Sequence, residues 1–501
     1  MSVGQITLGL ETRSLIGFFW IFSGSGALAV VRILVLAVLA RILMPADFGI
    51  VGAAMVVVTL GEVFARVGVA PSIVQMRDLT EAHIRTGFTL SVLFGVAAGA
   101  VTWLLAPLVA SLFQMPALEP VVQALAFLFP IRSISIVSEG LVQRQMRYKA
   151  MAATEFVSYL LGYAPFAISA AALGFGFWAL VVGQVAQTAI LSAGFMLLGR
   201  HTLRPLIDGP IAREIAHFGF GTTVARIGNH IAMNADYFII GRWLGPAALG
   251  IYTRAFYFVA QPTNMIGAVA DKVLFPAMAS IQDKNERLNR AYVRAIGLIA
   301  MVSFPVAAFL IALAPEIVRI LLGHNWDAAV LPFQILLLSL PFRTAYKLTS
   351  TLLRASGFVY TLALWQWIYA ASVVTGAIAG TPFGINGVGL GVSTAIVLNF
   401  WLGLAFASIA RKVPVTLVLR SVMRHLALST VILALMLSIH HLGVKYDWPA
   451  ILIVLCGSAT AACFMLLLAL FGRRVLGAEG EWLSEQLDKS YRRIFGQKQQ
   501  S

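Results

Sequence analysis

Arg41-Ile-Leu-Met-Pro-Ala-Asp-Phe-Gly-Ile50 recurs further along the chain as Arg242-Trp-Leu-Gly-Pro-Ala-Ala-Leu-Gly-Ile251. The copies stand 201 positions apart and share Arg, Leu, Pro, Ala, Gly and Ile, six of the ten. Each copy sits where one long apolar run ends and another begins. The proline cannot continue the preceding helix and presets φ for the next, so each motif reads as a tight helical hairpin. The glycine that follows lets the second helix approach a neighbour closely. A repeat of this period in an apolar chain implies two related helical bundles.

The runs on either side are long. Of 501 residues, 59% are hydrophobic and only 11% are charged, with a mean hydropathy of +0.88. Soluble domains carry roughly 25% charged residues. Apolar stretches able to cross about 30 Å of hydrocarbon recur from 14–38 through 449–471, and their best count is about fourteen. The longest polar gap, about 271–294, leaves no room for a soluble domain. The fold class is therefore an all-α polytopic membrane protein. The first span is too long for a cleavable signal peptide and is expected to be retained.

The formal charge of +15 could suggest nucleic acid, but its distribution does not. With the N-terminus inside, 26 of the 36 Lys and Arg fall on the inner side. Only Arg41, Arg242, Arg319 and Lys445 fall on the outer side. This is the positive-inside rule acting over the whole chain, with both termini cytoplasmic. Cys456 and Cys463 lie seven apart in the last span and read as packing residues.

A second match pairs Phe175-Gly176 and Gly183 with Phe383-Gly384 and Gly391, at an offset of 208. A weaker one pairs Arg144 with Arg354 near the inner ends of spans four and ten. Together these matches map spans 1–6 onto spans 7–12, a parallel repeat with the substrate path expected between the bundles. The expected domains are 1–200, a six-helix bundle; 201–412, its repeat; 413–472, two extra helices; and 473–501, a cytoplasmic amphipathic tail. Within the tail, Leu483, Leu487, Tyr491 and Ile494 share one helical face, suited to lying on the inner leaflet.

Six cations belong to neither side of the membrane: Arg32, Arg132, Arg226, Arg254, Arg343 and Lys347. A charge at the bilayer centre costs at least about 2.5–3.5 kcal/mol, so each needs a carboxylate, water or an anionic ligand. Any single arginine can snorkel or bond a carbonyl. As a set, they outnumber the internal acids Glu62, Glu139, Glu155, Asp236 and Asp271. Asp236 can pair with Arg226, Arg254 or Arg242, and Glu62 with Arg66. The surplus points to a hydrated cationic cavity suited to phosphate or diphosphate, which arginine binds bidentately. Trp365, Trp367, Tyr369 and Trp401 could stack against sugars, although packing and interfacial belts explain most membrane aromatics.

No metal site or cofactor is expected, because the eight histidines form no ligand pattern and no Walker motif occurs. No nucleophile elbow or HExxH helix is present, so no catalytic residue is expected and the chain does not read as an enzyme.

The segments Leu39–Val51 and Asp236–Ala255, with Leu274–Met278 and Leu322–Trp326, resemble Wzx-type polysaccharide flippases. These belong to the multidrug/oligosaccharidyl-lipid/polysaccharide exporter superfamily, and the likeness is to its colanic acid and succinoglycan exporter branch. The resemblance covers 10–472. It implies a V-shaped pair of six-helix bundles in the bacterial inner membrane, working by alternating access. It implies carriage of undecaprenyl-diphosphate-linked oligosaccharide to the periplasmic leaflet for exopolysaccharide or lipopolysaccharide biosynthesis. Polysaccharide polymerase and glycosyltransferases would be partners. The candidate cavity residues are Arg32, Arg226, Arg254, Arg343 and Lys347, of which Arg254 matches a motif position and the others rest on their intramembrane placement; no motif marks an ion-coupling residue, and Asp236 and Glu62 are the candidates. The alternatives are a drug/cation antiporter of the same superfamily and a membrane-embedded glycosyl- or acyltransferase.

Overall fold

Long apolar runs without strand-length alternation fold as helices, and in the computed structural model no strand occurs among the described residues. These residues are 26–66, 68–76, 78–269 and 274–471, with the backbone alone described over 216–229. The expected tail helix lies outside them.

The helices are α1 (26–42), α2 (Pro45–Arg66), α3 (Val69–Gln75), α4 (Glu81–Phe113), α5 (Leu118–Ala126), α6 (Leu128–Ser133) and α7 (Ile136–Arg144). Next come α8 (Tyr148–Ser158), a π-helical turn (Tyr159–Tyr163), α9 (Ala164–Ala172) and α10 (Trp178–Leu198). The remainder is α11 (Gly209–Val269), α12 (Phe275–Ala279), α13 (Asn285–Ala312), α14 (Ala314–Leu321), α15 (Val330–Leu338) and α16 (Leu340–Ala355). The chain then continues through α17 (Val359–Gly380), α18 (Gly384–Arg411), α19 (Val415–Lys445) and α20 (Ala450–Phe471). Gly245, at φ 82° and ψ 179°, breaks α11 into two helices, the second opening on Pro246 as α2 opens on Pro45.

Contacts divide the chain into two units. Unit one holds Met1–Arg254, Leu321–Asn325 and Thr381–Val388. Unit two holds Ala255–Ile320, Trp326–Gly380 and Gly389–Ser501. In unit one, α4 is built for lipid. Its face toward the protein carries Gly95, Gly99, Thr102 and Ala106, while Val96, Trp103, Leu104 and Leu108 point outward. A small inner face and a large apolar outer face invert the pattern of a soluble helix. A Cβ on Gly95 would stand 2.6 Å from the Ser133 hydroxyl, and one on Gly99 3.0 Å from the Ala126 carbonyl oxygen. In unit two, Tyr292, Leu352, Trp365 and Phe400 belong to one extensive hydrophobic core. Trp365 is fully buried and donates to the Asn399 carbonyl at 3.1 Å, so it serves packing.

Seven helices among the described residues are long and apolar enough to cross a membrane. The number rises to nine if two bent pairs each count as one span, with α17 and α18 counted together as Tyr360–Arg411. The bent pairs occupy expected spans four and ten. Leu118–Ser133 meets Ile136–Arg144 at 45°, and His324–Leu338 meets Leu340–Ala355 at 41°. Both breaks have the same local chemistry. Ser135 and Ser339 are fully buried, and their hydroxyls return to the carbonyls of Arg132 (3.0 Å) and Leu336 (2.7 Å), three residues earlier. A serine bonding its own preceding turn competes with the helical ladder and bends it. Arg144 donates to the carbonyls of Ile73, Val74 and Met76 at the end of the short α3. Arg354 lies over the Phe275 ring of the short α12, 5.3 Å away. The two units thus repeat a short helix, a serine-bent span and an arginine joining them.

Candidate functional site

The two motif copies meet each other inside unit one. A Cβ on Gly49 would stand 2.6 Å from the Pro246 carbonyl carbon, and closer still to its oxygen. A Cβ on Gly250 would stand 2.7 Å from the Pro45 carbonyl carbon, again closer to the oxygen. Pro45 and Gly49 shifted by the repeat distance are Pro246 and Gly250, so the contact is reciprocal. Each glycine admits the other motif's backbone. The first hairpin is further held by Asp47, whose carboxylate accepts the Met44 N–H at 2.9 Å, completing the helix start. Ala248 stands at that place in the second copy, where Gly245 makes the turn by its positive φ.

Arg254 closes the second motif and lies over the Phe48 ring of the first, 5.0 Å away. Arg32 on α1 is half-buried over the ring of Tyr159, at 5.4 Å, and that ring stacks on Tyr163 at 5.0 Å. Both tyrosines lie in the π-helical turn, an irregularity often found at functional sites. Asp236 is buried, accepting from the Tyr252 hydroxyl (2.9 Å) and the Tyr237 N–H (2.9 Å). His230 Nε2 donates to the Val56 carbonyl at 3.1 Å, which leaves Nδ1 to accept from the Asn234 amide at 3.3 Å. Glu62 is half-buried on α2. Arg226 belongs to α11, and its side chain lies outside the described residues.

In unit two, Arg343 and Lys347 share one face of α16, packed against the second half of α11. Arg343 is 6% exposed, and its guanidinium lies 4.1 Å from the centre of the Phe256 ring. A Cβ on Gly267 would stand 3.5 Å from the Lys347 ammonium. Among the described residues no carboxylate pairs with Arg343. Arg132, one of the six intramembrane cations, has a carboxylate partner. It donates to Glu139 at 2.6 Å, across the Ser135 break.

One buried group was missed by sequence reasoning. Glu316 is 5% exposed and pairs with Nδ1 of His440 at 2.6 Å. No local signal in the sequence joins these residues, which are 124 positions apart. Among the described residues no group of three His, Cys, Asp or Glu could hold a metal ion.

Comparison with known proteins agrees with this architecture. A family described as Polysaccharide biosynthesis protein matches residues 38–331, more than half of the chain. Lipopolysaccharide biosynthesis protein WzxC of Escherichia coli is 25% identical over 66% of this chain and 67% of its own length. Succinoglycan biosynthesis transport protein ExoT of Rhizobium meliloti is 26% identical, covering 68% of this chain and 69% of its own. Among solved structures, lipid II flippase MurJ in an inward closed conformation superposes with a TM-score of 0.68. It is 15% identical, covering 90% of this chain and 99% of MurJ. An inward-facing multidrug resistance transporter of the MATE family gives a TM-score of 0.62 at 17% identity, covering 76% and 95%. The fold is that of these transporters.

Proposed function

This chain belongs to the polysaccharide biosynthesis protein family, and from that membership we propose that it flips lipid-linked oligosaccharide across the bacterial inner membrane. The substrate is an undecaprenyl-diphosphate-linked repeat unit, moved from the cytoplasmic to the periplasmic leaflet for exopolysaccharide or lipopolysaccharide assembly. Glycosyltransferases act before this step and a polysaccharide polymerase after it.

The observation that carries the reading is Arg343. It is buried at a serine-bent span with an aromatic ring and no carboxylate among the described residues. Burying a guanidinium in a span costs at least about 2.5–3.5 kcal/mol, and an anionic ligand offsets that cost. Diphosphate presents paired oxygens to its fork of N–H donors. Arg32, Arg226, Arg254 and Lys347 are the other candidate substrate-binding cations. Asp236 and Glu62 are the candidates for ion coupling.

A cation antiporter would need buried carboxylates in excess of buried cations. The most buried ones described are engaged: Asp236 by Tyr252, Glu316 by His440, and Glu139 by Arg132. This favours the anionic substrate, although the MATE fold is shared.

A strain lacking the protein should accumulate lipid-linked repeat units and stop exporting polymer, and the wild-type chain should reverse both. Arg226→Ala and Arg343→Ala should insert normally and restore neither. Normal export by both variants would overturn the cavity assignment.

A further inference from the structure

We propose that a basic cleft at one end of unit two binds an anionic phospholipid of the adjoining leaflet. The cleft has a volume of about 550 Å³ between the first turns of α13 and the turn leading into α19. Its lining includes Arg290, Arg294 and Lys412 against the single carboxylate of Glu286, with Val293 and Leu417 supplying an apolar wall. The cations are solvent-exposed, whereas both helices run on from this end as apolar spans. This arrangement marks a membrane–water boundary, where a phosphate meets the cations while its acyl chains continue along the wall.

The cleft is a built feature. Asn289 donates to the carbonyls of Arg411 (2.9 Å) and Lys412 (3.3 Å), tying the inter-helix turn to α13. Arg411 reaches back to the Asn285 side chain at 2.8 Å and to the Gln282 carbonyl at 3.3 Å. Lys412 takes φ 54°, a left-handed conformation that a lysine adopts only where its surroundings hold it. The clamp presents Lys412 to the same space as Arg290 and Arg294. Three cations to one acid favour an anionic headgroup over a zwitterionic one.

This inference is independent of the substrate assignment, because its test involves no transport. The purified full-length chain would be placed in nanodiscs of phosphatidylcholine doped with phosphatidylglycerol. Co-purifying lipid would then be counted by native mass spectrometry. Wild type should retain phosphatidylglycerol preferentially, and Arg290→Gln with Lys412→Gln should weaken retention by roughly fivefold per cation removed. Lys445→Gln, on a cation at the other end of α19, should change nothing. Equal retention by wild type and the double variant, with unchanged melting in phosphatidylcholine alone, would overturn the proposal. Displacement of the lipid by soluble inorganic diphosphate would also overturn it, because the cleft would then be a site for free anions.

Discussion

One turn beyond Ser135 stands Glu139, and one turn beyond Ser339 stands Arg343. These positions correspond in the two units yet carry opposite charge. In unit one the acid neutralises Arg132; in unit two the base lies over a ring and has no carboxylate partner among the described residues. The two sites should therefore respond differently to loss of charge. Arg132→Leu orphans Glu139, a group only 20% exposed, and should cost about 1.5–3 kcal/mol because a charge-assisted hydrogen bond is lost. Arg343→Leu orphans no carboxylate and removes a desolvated cation, so stability should hold or rise while export fails. Thermal unfolding followed by size-exclusion chromatography separates the cases. Equal destabilisation by both substitutions would mean that Arg343 has a structural partner after all.

At the scale of elements, the two hairpins depend on backbone meeting backbone. A flexible side chain could move aside for an added methyl, but the Pro45 and Pro246 carbonyls cannot do so without shifting a helix. Overpacking of this kind typically costs about 1–3 kcal/mol. Gly49→Ala and Gly250→Ala should each reduce polymer export by roughly tenfold, a loss of about 1.4 kcal/mol in a required contact state. The double variant should do little worse than the poorer single one, since both methyls disturb one reciprocal contact. Additive losses measured in the same export assay would show that the glycines act at separate places. The glycines in hairpin α17–α18 behave similarly: a Cβ on Gly376 would stand 3.0 Å from the Gly391 carbonyl carbon.

For the whole molecule, charge distribution sets the expected orientation. Reporter fusions at Pro205 and Lys412 should read cytoplasmic, and those at Gly174 and Gly323 periplasmic. A single phosphatase-active fusion at Lys412 would invert the assignment for unit two and move the basic cleft to the other leaflet. The first half of α11 carries His230, Asn234 and Asp236, and spans four and ten are cut by buried serines. Such segments carry polar groups at membrane depth that are satisfied inside the protein.

Membrane residence, the family and the duplicated architecture were legible in the sequence because they rest on composition and on motifs repeated at a constant spacing. The candidate cations were legible too, since a charge in an apolar run stands out. Only the tertiary structure decided which of them have partners. Arg132 and Glu139 are seven residues apart, about 10.5 Å of rise on a straight helix, and they meet across a break that hydropathy does not encode. Glu316 and His440 come together through packing of distant helices. The motif glycines, read from sequence as serving a neighbouring helix, prove to serve the other copy's backbone, because such contacts depend on atomic placement.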